Sequence, residues 1–149
     1  MDTLTADLEA IAALLPRLIG AQQRLMAHDL ASYGLTFPQF ITISALEQFE
    51  GECRMGPLAA AAMQSAASMT GIVDRLLERG MVERERHPED RRAVVVRLTD
   101  KGRELLAEVK ESRRQQGLLL LASLAPEDRQ RMREVLVRMV ETMEKGVGD

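Results

Sequence analysis

The chain has 149 residues, 46% hydrophobic and 29% charged, with a formal net charge of −3, so it can bury a core and is not a disordered tail. No run of about 18 apolar residues crosses a membrane, the acidic start (Asp2, Asp7, Glu9) does not read as an export signal, and the single cysteine, Cys53, fits a reducing cytoplasm. The aromatics are Tyr33, Phe37, Phe40 and Phe49, too few to stack single-stranded nucleic acid, and the net acidity by itself argues against a nucleic-acid partner of any kind.

Residues 4–30 carry Leu4, Leu8, Ile11, Leu15, Leu18, Ile19, Leu25 and Met26 at three- and four-residue spacing, which predicts a helix. Pro16 removes a backbone donor and clashes one turn back, so a kink near residues 12–16 or a later start is expected. Tyr33-Gly34 is the stop. Thr36 and Gln39 have capping-box spacing and open a second helix, with Phe40, Ile43, Leu46 and Phe49 as its apolar face and Glu50-Gly51-Glu52 as its end. Gly56-Pro57 opens a short third helix, Leu58 to Met63, with proline at the first helical position. Ser65 is a good N-cap for a fourth helix, which carries Met69, Ile72, Val73, Leu76 and Leu77 on one face and stops at Gly80. The period then changes. Met81 to His87 alternates with charge, and Ala93 to Leu98 is a β-branched run with Val94, Val96 and Leu98 on one face. Between them, Pro88-Glu89-Asp90-Arg91 is a turn-rich tip, and the whole reads as a two-stranded hairpin. Thr99-Asp100 caps a long charged fifth helix, Lys101 to Leu121, and Pro126 begins a sixth with Met132, Val135, Leu136, Met139, Val140 and Met143 as a stripe.

The net charge hides its distribution. Residues 1–56 hold three Lys/Arg against seven Asp/Glu, residues 57–103 hold nine against seven, and residues 104–149 hold eight against nine. The positive excess sits in the middle third, which points to a local anionic partner or to a solvated basic surface. Two short helices joined by a tight turn, followed at once by a hairpin with an arginine-bearing tip, form a winged helix-turn-helix. A helix fits the major groove of duplex DNA, its N-terminal N–H groups suit a phosphate, and an arginine at the tip suits the negative potential of a narrow minor groove. The fold class is therefore mainly α with a small β-hairpin wing and about six helices.

Three runs make the likeness specific: Asp74-Arg75-Leu76-Leu77-Glu78-Arg79-Gly80-Met81-Val82, then Pro88-Glu89-Asp90-Arg91-Arg92, then Arg97-Leu98-Thr99-Asp100-Lys101-Gly102. In this order they resemble the multiple antibiotic resistance regulator (MarR) family, and Leu35-Thr36-Phe37-Pro38-Gln39-Phe40 resembles the start of the family's second helix. The resemblance covers nearly the whole chain. It implies one unit over residues 1–149, with a DNA-binding lobe at 36–99 and a helical dimerisation region at 1–34 and 100–149. It also implies an intertwined homodimer on a pseudo-palindromic double-stranded DNA operator, with the recognition helix, 65–79, in the major groove and the wing, 87–92, in the minor groove. The stripes on residues 4–26 and 132–143 agree with a dimer, being too apolar for the surface of a small monomer.

By the same resemblance, Ser65 starts the recognition helix, and Ala66, Ala67, Ser68, Thr70 and Gly71 face DNA. The family more often carries Arg, Gln or Lys at such positions. Alanine and glycine offer only close approach and methyl contact, so direct base readout is thin here and phosphate and shape contacts weigh more. Arg75 either reaches phosphate or pairs with Asp74 or Glu78. Asp90 and Arg92 match the wing pair, in which the carboxylate orients the arginine, and either Arg91 or Arg92 is the minor-groove finger. Arg84, Arg86 and Arg97 lie on the strands and are less well placed. A small aromatic acid is the ligand class the resemblance implies; Arg24, His28, Tyr33, Phe37 and Phe40 lie where its pocket could be lined, the alternative for each being hinge packing.

Other chemistry finds little support. Cys53 lies past the second helix, not in the first, where oxidant-sensing relatives carry theirs. His28 and His87 lack companions at metal-ligand spacing, so neither a metal nor another cofactor is expected. No nucleophile motif or phosphate loop points to an enzyme. The reading is a cytoplasmic, sequence-specific DNA-binding regulator, a ligand-responsive repressor. The alternative is a dimeric small-ligand-binding or interaction protein on the same scaffold, with DNA specificity weakened or lost.

Overall fold

Local signals set most of the element boundaries in the computed structural model, which describes residues 2–146. The first helix, α1, runs Thr3–Ser32 and α2 runs Phe37–Gln48. Between them Gly34 turns the chain at φ +67°, a conformation that glycine adopts without a Cβ penalty. The capping box of α2 is complete: the Gln39 N–H donates to Thr36 Oγ1 at 3.4 Å, and the Thr36 N–H donates to Gln39 Oε1 at 3.0 Å. Strand β1, Glu52–Arg54, leads into α3, Met55–Ala61, and α4 spans Ala66–Glu78. Strands β2, Val82–Arg86, and β3, Val94–Leu98, form the wing. The chain then continues through α5, Asp100–Ala122, and α6, Pro126–Gly146.

Three points differ from the sequence expectation. Pro16 lies inside a single 30-residue α1 that starts at Thr3, so the proline neither delays nor ends the helix. Helix α3 begins at Met55, which puts Pro57 third rather than first; proline is tolerated there because the first four N–H groups of a helix have no partner within it. The wing sheet gains a third strand. Its order is β1-β3-β2, antiparallel throughout, with Cys53 and Arg84 flanking Val96 from either side.

The core gathers one face from each element of the first compact unit, which runs to Glu111. Leu30 closes α1; Phe40, Ile43 and Leu46 line α2; Met69, Val73 and Leu76 line α4. Val82, Val96 and Leu98 cover the sheet, and Leu106 and Val109 seal it from α5. Phe49, assigned to the apolar face of α2, is instead its C-cap and is exposed. At the start of α5, Gly102 lies so close to the Met81 carbonyl that an added Cβ would collide with it and come within 2.7 Å of Leu98 Cδ1. The second unit, from Ser112, holds the end of α5 and all of α6; no described residue of α6 is buried. The apolar side of α1 is likewise open to solvent, with Leu8 66% and Leu18 61% exposed.

Candidate nucleic-acid interface

Helices α3 and α4 meet at a turn in which Met63 adopts φ +54° and Gln64 donates back to the Ala59 carbonyl at 2.9 Å. Ser65 then caps α4. Its Oγ accepts the Ser68 N–H at 3.1 Å, and its hydroxyl donates to Ser68 Oγ at 2.9 Å. Met69, Val73 and Leu76 anchor the inner face of α4. The positions left outside are Ala66, Ala67, Ser68, Thr70, Gly71 and Arg75, all exposed, with the Thr70 hydroxyl turned back onto the Ala66 carbonyl at 3.1 Å. A Cβ at Gly71 would meet nothing within 4 Å. The outer face of α4 is thus low and lightly functionalised.

The wing is held against this helix by Arg84 on β2, whose guanidinium donates to Asp74 on α4 at 2.8 Å. Asp90 shapes the tip through the backbone: its Oδ1 accepts the Arg92 N–H at 3.0 Å, and its carbonyl accepts the Ala93 N–H at 3.0 Å. The carboxylate therefore sets the chain at the arginine rather than gripping the guanidinium. Arg92 also reaches the base of the wing. A cleft of about 360 Å³ lies between Met55 and Gly56 of α3, Ala66, Met69 and Thr70 of α4, and Arg84, Arg92 and Val94 of the wing. It brings Ala66, Thr70 and Arg92, three of the sequence-picked residues, to one surface.

The arginines of this surface fall into two groups. Arg84 pairs with Asp74, and Arg97 bridges Glu85 at 2.7 Å and Glu52 at 3.0 Å. Those two carboxylates, Glu85 first, raise the Arg97 pKa above its already high value. Among the described residues, Arg75, Arg86, Arg91 and Arg92 form no side-chain ion pair, so their charge stays available to an outside anion. Arg75 does not pair with Asp74, which is taken by Arg84. These tertiary pairings, ten or more residues apart in sequence, leave no local signal; Arg86 is a free cation for the same reason.

The five residues considered for a ligand differ in exposure. Arg24, His28 and Phe37 are exposed, Tyr33 is half-buried, and Phe40 lies in the core. Neither the wing cleft nor a wider one of about 550 Å³ along α6, lined by Leu121, Met132, Leu136, Arg129 and Arg133 among others, includes any of them. Cys53 is half-buried on β1, and that burial pushes its thiol above the ordinary 9.0. Among the described residues there is no group of His, Cys, Asp or Glu that could hold a metal ion, and no helix is long and apolar enough to cross a membrane.

A model of the MarR family matches residues 33–93, from the turn after α1 to the wing. Over 110 residues the chain is 34% identical to the HTH-type transcriptional repressor NicR of Pseudomonas putida, covering 74% of this chain and 69% of that protein. The chain belongs to the MarR family. A second relative, the HTH-type transcriptional regulator YdgJ of Bacillus subtilis, is 39% identical over 74 residues; the match takes in 50% of this chain and 45% of that protein, less than half its length. The fold is that of a MarR family protein from Bacillus stearothermophilus, with a TM-score of 0.79 at 26% identity over 97% of this chain and 99% of the other. Within the MarR frame, α3–α4 and the β2–β3 wing are the helix-turn-helix and the wing.

Proposed function

We propose that this MarR-family chain is a homodimeric, sequence-specific binder of double-stranded DNA that represses transcription and releases DNA when a small aromatic acid binds. The observation that carries the reading is the sorting of the arginines. In an acidic chain, Arg75, Arg86, Arg91 and Arg92 keep their charge free beside the low outer face of α4, while Arg84 and Arg97 are engaged by carboxylates. Residues 36–99 form the DNA-binding lobe, and residues 1–34 and 100–149 hold the dimer. The exposed apolar sides of α1 and α6 support that division, because surfaces of this kind require a partner. The sign of regulation follows the repressor NicR.

On duplex DNA, Ser65 and the α4 N-terminus take a backbone phosphate, Ala66, Ala67, Ser68, Thr70 and Gly71 approach the major-groove edge, Arg75 reaches phosphate, and Arg91 or Arg92 enters the minor groove behind the turn fixed by Asp90. The small side chains on α4 make thymine methyl contact and DNA shape the main sources of specificity. The effector pocket is lined by Arg24, His28, Tyr33, Phe37 and Phe40, and its occupation biases the dimer toward a form whose half-site spacing no longer matches DNA. Selection from a random duplex pool tests the reading. A near-palindrome emerging from the pool supports it; only salt-sensitive, unselected binding favours the interaction-protein alternative, for which the alanines and glycine on α4 speak. Calorimetric titration with aromatic acids that shows no heat, together with unchanged operator affinity, would reject the effector.

A further inference from the structure

The C-terminal end of α4 carries a set of contacts that the DNA reading does not use. At the end of α1, the Gly34 N–H returns to the Ala31 carbonyl at 2.9 Å and the Leu35 N–H to the Leu30 carbonyl at 2.9 Å. The carbonyls of Tyr33 and Gly34 face Arg79, the residue just past α4. Its Nη2 donates to Tyr33 O at 2.9 Å and its Nη1 donates to Gly34 O. A planar guanidinium makes such a two-pronged contact with little further loss of freedom, and a cation at a helix C-terminus is favoured by the helix dipole. The same residue is held from the other side: its carbonyl accepts from Lys101 Nζ at 2.8 Å, and the next carbonyl, of Gly80, accepts from the Thr99 hydroxyl at 2.7 Å. Arg79 thus joins the ends of α1 and α4 to the start of α5. Helix α1 packs on α2, and the Arg79 fork ties the end of α1 to the end of α4.

We infer that Arg79 is a positioning residue: its fork onto Tyr33 and Gly34 sets the direction of α4 on α1, and through it the distance between the two recognition helices of a dimer. This rests on the reading of α4 as the DNA-facing helix and of the open side of α1 as a dimer surface. Arg79 touches no DNA. Its effect appears as selectivity for half-site spacing, not as affinity for a half-site.

The experiment compares the parent chain with Arg79→Met, which keeps length and loses the fork, and with Arg79→Lys, which keeps charge and reaches one carbonyl at a time. A spin label at Ala67→Cys, in a Cys53→Ser background, reports the inter-helix distance in the dimer without DNA. The parent gives a narrow distribution, Arg79→Met a broad one, and Arg79→Lys lies between. In unlabelled protein, duplexes carrying two selected half-sites at stepped spacers are then titrated. Arg79→Met loses about tenfold in discrimination between the best spacer and its neighbours, with single half-site affinity within about twofold and an unchanged salt slope. Equal distributions in parent and Arg79→Met overturn the inference. So does a fall in half-site affinity with the salt slope reduced by about one, which would make Arg79 a phosphate contact. If the parent selects no half-site, the DNA reading fails on its own, and the label distances alone decide the role of Arg79 as the holder of α4 on α1.

Discussion

Gly102 shows what a residue type means once its neighbours are known. In the sequence it is the last letter of a family-like run, Leu98-Thr99-Asp100-Lys101-Gly102; in the fold it is where α5 passes so close to the Met81 carbonyl that a methyl group has no room. Gly102→Ala is expected to destabilise the chain by about 1–3 kcal/mol, as overpacking against backbone does, read as a lower midpoint in thermal unfolding by circular dichroism. Cys53 offers a second residue-scale check. Burial raises its thiol pKa above the ordinary 9.0, so well below that pH both folded and unfolded chains hold the proton. As pH rises, the unfolded thiol ionises first, and the contribution to stability is lost through that window. Iodoacetamide is therefore expected to alkylate Cys53 more slowly in the native chain than in urea at pH 9. Removing both tip arginines, Arg91→Ala with Arg92→Ala, should weaken DNA binding about tenfold or more and flatten its salt dependence by roughly one or two units of slope. Unchanged affinity in a fluorescence titration would remove the wing from the interface.

At the scale of elements, the sequence was legible wherever one turn of chain carries the signal. Thr36 and Gln39 make their capping box, Ser65 caps α4, and Gly34 and Gly80 take left-handed turns at helix ends. Strand β1 was not legible. Glu52-Cys53-Arg54 is three residues long, too short for an alternation to be read, and it becomes a strand only because β3 lies beside it. Pro16 misleads for a related reason: the apolar spacing runs in phase on both sides of it, and α1 continues through the proline. The candidate site divides the same way. Its residues could be located along the chain, but which arginines stay free depended on ten-residue and longer reaches such as Arg84 to Asp74. That tie gives an element-scale prediction. Asp74→Ala releases Arg84, costs at most about 1 kcal/mol of stability since the pair is exposed, and adds a cation beside α4. Non-specific duplex binding at low salt should strengthen and its salt slope should steepen by about one; a weaker, flatter titration would contradict the arrangement.

At the scale of the whole molecule, charge is uneven along the chain: residues 1–56 carry a negative excess and residues 57–103 a positive one. Under the proposed function, the negative excess of residues 1–56 disfavours DNA on that part of the chain, and the free arginines beside α4 and on the wing favour it there. The apolar sides of α1 and α6 were visible as periodic stripes; what covers them could not be read from periodicity, since a stripe looks the same whether it faces its own chain or another. Under the proposed function they face a second copy. Placing a carboxylate in each, Leu15→Glu with Val140→Glu, should then give a monomer in analytical ultracentrifugation at concentrations where the parent is a dimer, with operator binding lost because the half-sites are no longer linked. A double variant that stays dimeric would put the interface elsewhere.

The open face of α6, on which no described residue is buried, has a consequence in mass action. Under the proposed function, α6 buries its stripe only against another copy and is stable only when that copy is present, so folding and association share one equilibrium. Each doubling of protein concentration then adds about 0.4 kcal/mol to the folded dimer. The unfolding midpoint should climb with concentration, and dilution by itself should soften the second unit. The abundance of the chain then becomes a variable of its own folding: a cell that makes little of it holds a smaller share folded as the dimer than a simple count of chains would give.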